Sequence, residues 1–218
     1  MAIVLSVALI LPNMLVDVAQ QCHSTLAPHA EANWSRRAGT IEWSCRSTLA
    51  HVGLLAYSQQ LATRAVTFKP VALTSGSNAS IDELLWTVVV AAHTLAEVAK
   101  AAPDSARGFH PAGLSDAEGF VAMAIDELLI HTHDIAAGLG IAFEPDNTIV
   151  VNLLDRLFPW WPRDVAPWDA LLWVNGRRSL PNHANPGASW LWHCAPLAEC
   201  DGTIPCWDTD VDRPMVTE

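Results

Sequence analysis

Basic residues are few in this chain: 12 Lys and Arg stand against 23 Asp and Glu in 218 residues, a formal charge of −11. No run of them forms a patch. That argues against sequence-independent binding to nucleic acid, which relies on Lys and Arg to neutralise phosphates. Charge of either sign is scarce, at 16%, whereas 51% of residues are apolar. A chain with that balance buries a core instead of remaining disordered. No Gly-rich phosphate loop is present, and no Gly-x-Ser-x-Gly elbow, so serine-hydrolase chemistry has no support. Internal repeats and low-complexity segments are also missing. The apolar start, Met1 to Leu11, is too short to span a bilayer. It lacks a positively charged opening and meets Pro12 and an amphipathic run where a leader would have a cleavage site. It reads as a first helix packed into the core. The expectation is an acidic cytoplasmic protein acting on small molecules, with no nucleic-acid or membrane partner.

What the chain does have is helical periodicity. Met14, Leu15, Val18, Cys22, Leu26 and Ala30 recur at spacings near three and four, which predicts an amphipathic helix over 12–32. After a short loop, Ser44 is placed to cap a second helix that runs through Leu49, His51, Leu55 and Leu61 to about Ala65. Residues 66–79 form a long link. Ser80-Ile-Asp-Glu83 then reads as a capping box for a third helix ending near Ala101, before Pro103. Ser115-Asp-Ala-Glu118 reads as a second box, for a fourth helix ending near Gly138 and Gly140. The expected fold is therefore all-α. Residues 1–145 form a four-helix bundle with a crossover after the second helix. Residues 146–218 form an extension packed on it, with short helices at Asn147–Phe158 and Pro167–Asn175 and an irregular tail.

That extension is rich in tryptophan: Trp160, Trp161, Trp168, Trp173, Trp190, Trp192 and Trp207 all lie in it. So much aromatic area wraps over one end of the bundle, either as a structural cap or as the wall of a substrate pocket. Of five cysteines, Cys22 and Cys45 lie in helical segments and read as small buried hydrophobes. Cys194, Cys200 and Cys206 are spaced six apart, which leaves a structural zinc or a disulfide open.

The chemistry concentrates in Glu127-Leu-Leu-Ile-His131-Thr-His-Asp134. Residues four apart on a helix share a face, so Glu127 and His131 stack one turn apart, and Asp134 follows on that face. Burying these groups together is costly unless something pairs with them, and a divalent metal is the simplest partner. His51, in another apolar helical segment, is the best third ligand. Two imidazoles and a carboxylate make a zinc-type catalytic set with an open position, and Asp134 would hold the other ring nitrogen of His131. The bland alternative is a satisfied core histidine, since Glu-x-x-x-His is common. His133 falls across the helix. No spacing distinguishes His23, His29, His93, His110 or His183, and His193 beside Cys194 stays in reserve. Arg177-Arg178 after Gly176 is the compact basic pair, a solvated surface feature or a clamp for a ligand carboxylate.

The stretch Ile41-Glu-Trp43-Ser44-Cys-Arg46-Ser-Thr-Leu49-Ala50-His51 resembles the segment ending in the first metal histidine of the mycothiol-dependent maleylpyruvate isomerase-like family, within the DinB-like superfamily. Glu127 to Asp134 resembles its second motif, Glu-x-x-x-His-x-x-Asp. Leu157-Phe158-Pro159-Trp160 and the run from Trp168 through Trp173 to Gly176-Arg177 are similar to members of this length. The resemblance implies a DinB-like bundle with a divalent ion, commonly zinc, on His51, Glu127 and His131. It further implies a low-molecular-weight thiol such as mycothiol as cosubstrate. A thiol at the open coordination position ionises near neutral pH and adds to a small electrophile, giving S-transfer or, by reversible addition to a conjugated double bond, isomerisation. Asp134 would orient His131 or assist proton transfer, and Arg177 is the candidate cofactor contact. The isomerase proper carries a further C-terminal domain where this chain has its Trp- and Cys-rich tail, which leaves thiol transfer, or a specialised biosynthetic step, more open than maleylpyruvate isomerisation and favours the non-catalytic reading below, whereas the intact ligand set favours the enzyme. Two competing readings use the same residues: a non-catalytic metal- or small-molecule-binding bundle, and hydrolysis by metal-activated water. The expected assembly is a monomer or homodimer.

Overall fold

The computed structural model describes residues 9–67, 78–186 and 191–206. The expected helix at the extreme N-terminus, most of the 66–79 link, and Trp190 and Trp207 lie outside these ranges. The described chain is mostly helical. Its helices are α1 (Pro12–Leu26), α2 (Cys45–His51), α3 (Leu54–Thr63), α4 (Ile81–Ala101), α5 (Ala117–Leu139), α6 (Asn147–Leu157) and α7 (Pro167–Val174). A two-stranded antiparallel hairpin, β1 (Gly108–His110) and β2 (Gly113–Ser115), precedes α5.

Helix α5 is the axis of the molecule. Its two faces are apolar, and Phe120, Val121, Met123, Ile125 and Leu129 are fully buried. Helices α1, α2, α3, α4 and α6 all pack against it. Each large side chain taken out of water there stabilises the fold by roughly 1.5–3 kcal/mol. α4 is the one described helix long and apolar enough to cross a membrane, but half of that apolar window is buried against its neighbours. Ser80 and Glu83 form the expected capping box at its start. α5 ends where expected, with Gly140 left-handed at φ 75°.

Three expectations need correction. The second helix is not continuous. It stops at His51 and restarts at Leu54, because Val52 leaves the helical region (φ −56°, ψ 99°). The apolar periodicity runs straight through that break, so spacing alone conceals it. The cap of α5 is Asp116, whose carboxylate accepts the Gly119 N–H, and not Ser115. The Ser115 hydroxyl instead donates to the Cys194 carbonyl, 2.9 Å away. Finally, β1 and β2 were not foreseen at all.

Two glycines on α5 set the distances that matter. A Cβ on Gly138 would lie 2.6 Å from Cys45 Sγ and 2.5 Å from the Arg37 carbonyl. The bare backbone there lets the 35–45 loop and the start of α2 close onto α5, which delivers His51 to the Glu127 face. A Cβ on Gly119 would lie 2.3 Å from the Cys194 carbonyl. That second gap receives the C-terminal tail, and the fully buried Arg156 clamps it: Nη1 donates to the His193 carbonyl at 2.9 Å, and Nη2 to Asp116 at 2.6 Å and Cys194 O at 3.2 Å. All five cysteines are free thiols, with Cys22, Cys45 and Cys194 buried.

Candidate metal centre

His51, Glu127 and His131 converge. One donor atom from each lies within 4.8 Å of the others. His51 comes from the last residue of α2 and the other two from consecutive turns of α5. The loop before α2 doubles back through the Ala38 N–H···O Trp43 and Cys45 N–H···O Arg36 hydrogen bonds. It thereby lays Trp43 against the His51 ring, centroids 4.4 Å apart, and near His131 at 6.4 Å. The two imidazoles meet edge to face at 5.6 Å.

The electrostatics of this cluster turn on what sits at His131 Nε2. Glu127 Oε2 is buried 3.1 Å from His131 Nε2, yet no described residue hydrogen-bonds it. On the other side of the ring, His131 Nδ1 lies 3.4 Å from Asp134 Oδ2. When Nδ1–H donates to that carboxylate, the Nε2 lone pair faces the Glu127 oxygen, acceptor against acceptor. A proton or a metal ion on Nε2 resolves the conflict. Burial alone would push the His131 pKa down, but Asp134 and Glu127 outweigh it and raise it to about 9. Burial lowers the His51 pKa, against the opposing pull of Glu127, which keeps that ring neutral. Burial would raise Glu127, but the three histidines around it, His131 foremost, hold its pKa below the ordinary carboxylate range. Two imidazole nitrogens and an anionic oxygen with no hydrogen-bond donor fit a zinc-type ion well.

Asp134 sits where expected, bridging His131 and Arg177. Arg177 lies behind His131. Its Nη2 donates to Asp134 Oδ2 at 2.8 Å, its Nε to Oδ1 at 3.1 Å, and its Nη1 to the Asn175 carbonyl at 2.7 Å. The guanidinium thus engages the carboxylate behind His131 and the Asn175 carbonyl. It and His131 outweigh the burial of Asp134 and keep that acid ionised. Arg178 pairs with Asp169 at the surface. His133 is half-buried against Trp168, and the His193 ring packs into the tail with Nε2 at the Pro196 carbonyl.

A third layer had no sequence signal. Asp126, beside Glu127, is fully buried, and burial raises its pKa to about 7 despite hydrogen bonds from Trp192 Nε1 (2.9 Å) and Asn175 Nδ2 (3.0 Å). Tyr57, the chain's one tyrosine, points its hydroxyl at Glu127 Oε1, 3.5 Å away. Burial, with the nearby Glu127 and Asp126 charges, raises its pKa well above the ordinary value. His110 packs edge-on to Tyr57 and tilted against Trp192, at 5.6 and 5.4 Å between ring centroids. Burial lowers its pKa to about 4, although Glu127 pulls the other way. Beside His51 lies a cavity of about 310 Å³ with an apolar wall of Leu49, Val52, Leu55, Leu84, Val88 and Ala91. Comparison with protein-family models, curated proteins and solved structures finds no match.

Proposed function

We propose that this chain is a divalent-metal enzyme of the mycothiol-dependent maleylpyruvate isomerase-like kind, with a DinB-like bundle over residues 1–145 and an extension over 146–218. It activates a low-molecular-weight thiol such as mycothiol for transfer to, or isomerisation of, a small electrophile. The observation that carries the reading is the meeting of His51, Glu127 and His131 around a buried carboxylate oxygen with no hydrogen-bond donor. Those three residues would hold the ion, zinc by the chemistry of the donor set. When bound, the ion supplies a positive centre that lowers the pKa of a thiol and yields thiolate at neutral pH.

The protein's own groups do the rest. Asp134 fixes the His131 ring so that Nε2 faces the site, and Arg177 holds Asp134 ionised and in place. Trp43 packs against the His51 ring and helps fix its orientation. The apolar cavity beside His51 is large enough for the hydrocarbon part of a small substrate, since a cavity of roughly 150 Å³ suffices to bind benzene. A cytoplasmic protein with access to a reduced thiol pool suits this chemistry. The test is the absorption spectrum of the cobalt-substituted protein during titration with mycothiol, glutathione or cysteine. A new sulfur-to-cobalt band supports the thiol role. One bound cobalt per chain with no such band for any thiol contradicts it, and points to hydrolysis or plain metal binding.

A further inference from the structure

The C-terminal tail reaches α5 at the turn that carries Glu127. Trp192 Nε1 donates to Asp126 Oδ2 at 2.9 Å, and Asn175 Nδ2, at the end of α7, donates to Oδ1 at 3.0 Å. Asp126 is buried, so its oxygens depend on these donors where water does not reach. Asn175 also faces the other way: its carbonyl accepts Arg177 Nη1 at 2.7 Å. The same guanidinium donates to Asp134 through Nη2 at 2.8 Å and Nε at 3.1 Å, and Asp134 stands 3.4 Å from His131 Nδ1. A line of polar contacts therefore runs from the tail to a ligand imidazole. It pins α5 at 126 and 134, on either side of Glu127 and His131. Trp192 is itself fastened on both sides. The Leu191 N–H donates to the Pro205 carbonyl at 2.8 Å and the His193 N–H to the Leu157 carbonyl at 3.0 Å. The buried Arg156 holds the carbonyls of His193 and Cys194.

We propose that Trp192 and Asn175 are positioning residues that set the affinity of the α2/α5 site for its ion, acting through Asp126, Arg177 and Asp134 on the His131 ring. This rests on the metal reading of that site and not on its thiol step. Arg177 has two acids in range, since its charge favours the ionised form of both Asp126 and Asp134. The indole and amide donors on Asp126 leave the guanidinium free to engage Asp134 with two nitrogens. A buried Asp126 stripped of either donor draws Arg177 toward itself, because an unpaired carboxylate there is costly. Asp134 then loses its clamp, and the His131 ring loses the group that fixes its orientation. The extension thus has a task besides covering the bundle. By linkage, an ion bound at the ligands also stabilises the docked tail.

The test is zinc affinity by chelator competition, with the His131 Nδ1–H proton followed by NMR in the metal-free protein. Trp192→Phe keeps an aromatic ring against His110 and removes the Nε1–H; Asn175→Ala removes the other donor. Each is expected to weaken zinc binding about 3–10-fold, less than the roughly 10–100-fold loss for a group that touches a ligand directly. The helical signal stays and the His131 proton shifts. In an Arg177→Met background Trp192→Phe has no further effect, because the line is already cut. Trp161→Phe strips a comparable bond elsewhere in the extension, Nε1 to Asp155 Oδ1 at 2.8 Å, and is expected to change neither readout. Unchanged affinity in Trp192→Phe or Asn175→Ala, an equal loss in Trp161→Phe, or a Trp192→Phe loss undiminished beside Arg177→Met each overturns the proposal. Zinc that never binds the unmutated protein removes the metal reading and this inference together; zinc that binds alike in every variant removes the inference alone.

Discussion

Two clusters of buried charge lie along α5; each leaves one buried polar atom without a hydrogen bond, Arg156 Nε in the first and Glu127 Oε2 in the second, and they differ in the charge that stands beside it. At the first turn, Arg156 is fully buried, but two backbone carbonyls and Asp116 engage its two terminal nitrogens, and Glu118 stands 3.6 Å from its Nε. The two acids keep some exposure, 16% and 25%, so water covers what the arginine does not. Further along, Asp134 is 1% exposed, Asp126 lies beside Glu127, and Arg177 pairs with Asp134. Glu127 Oε2 has only the His131 ring for a neighbour, which answers its charge when Nε2 carries a proton or an ion. The first cluster is a bolt that fastens the tail to the bundle. The second takes its balancing positive charge from a proton on His131 or from an ion in its place, and that exchange marks a ligand site.

The largest expected effect separates the two. Arg156→Met leaves Asp116 and two carbonyls without their donor, and should lower unfolding free energy by about 3–5 kcal/mol in urea. Glu127→Gln in the metal-free protein should cost no more than about 1 kcal/mol, yet abolish metal binding. Equal destabilisation by both would erase the distinction. Asp134→Asn should come next, weakening metal affinity about 10–100-fold in chelator competition with the helical signal intact.

The pH response follows from His131. Its pKa, about 9 in the fold, lies above its ordinary 6.5. In the metal-free protein its contribution to stability is therefore complete below pH 6.5 and lost as pH rises through 9. Metal binding requires the neutral ring, so apparent affinity should climb by up to about tenfold per pH unit across the same window. Urea unfolding and chelator competition at pH 6, 7.5 and 9 would show the two trends with opposite sign, and a flat affinity would contradict the assignment of His131 as a ligand. The smallest effect is the contrast between neighbours: Arg178→Ala, an exposed pair with Asp169, should change stability by about 0.5 kcal/mol or less and leave metal affinity alone, whereas Arg177→Met should weaken it.

Regular helix makes spacing legible. Glu127, His131 and Asp134 fall on one face because the period of α5 puts them there, and Ser80 and Gly140 mark helix ends through local backbone chemistry alone. His51 was found for the same reason, as an imidazole in an apolar helical run. What spacing could not show depends on contacts distant in sequence. Arg156 looks like an ordinary basic residue near the end of an amphipathic helix until the tail closes over it. Arg177 reads as a free surface cation until α7 brings it to Asp134. His110 has no periodicity to betray it, since a three-residue strand and a turn amide place it. The Val52 break is invisible because leucines continue in helical phase on both sides.

The most direct measurement is the metal content of the purified protein by mass spectrometry, beside His51→Ala and Glu127→Ala. The account predicts about one zinc-like ion per chain, lost in both variants while the circular-dichroism helix signal stays. No ion in the unmutated protein after zinc is added, or full retention in either variant, would contradict it.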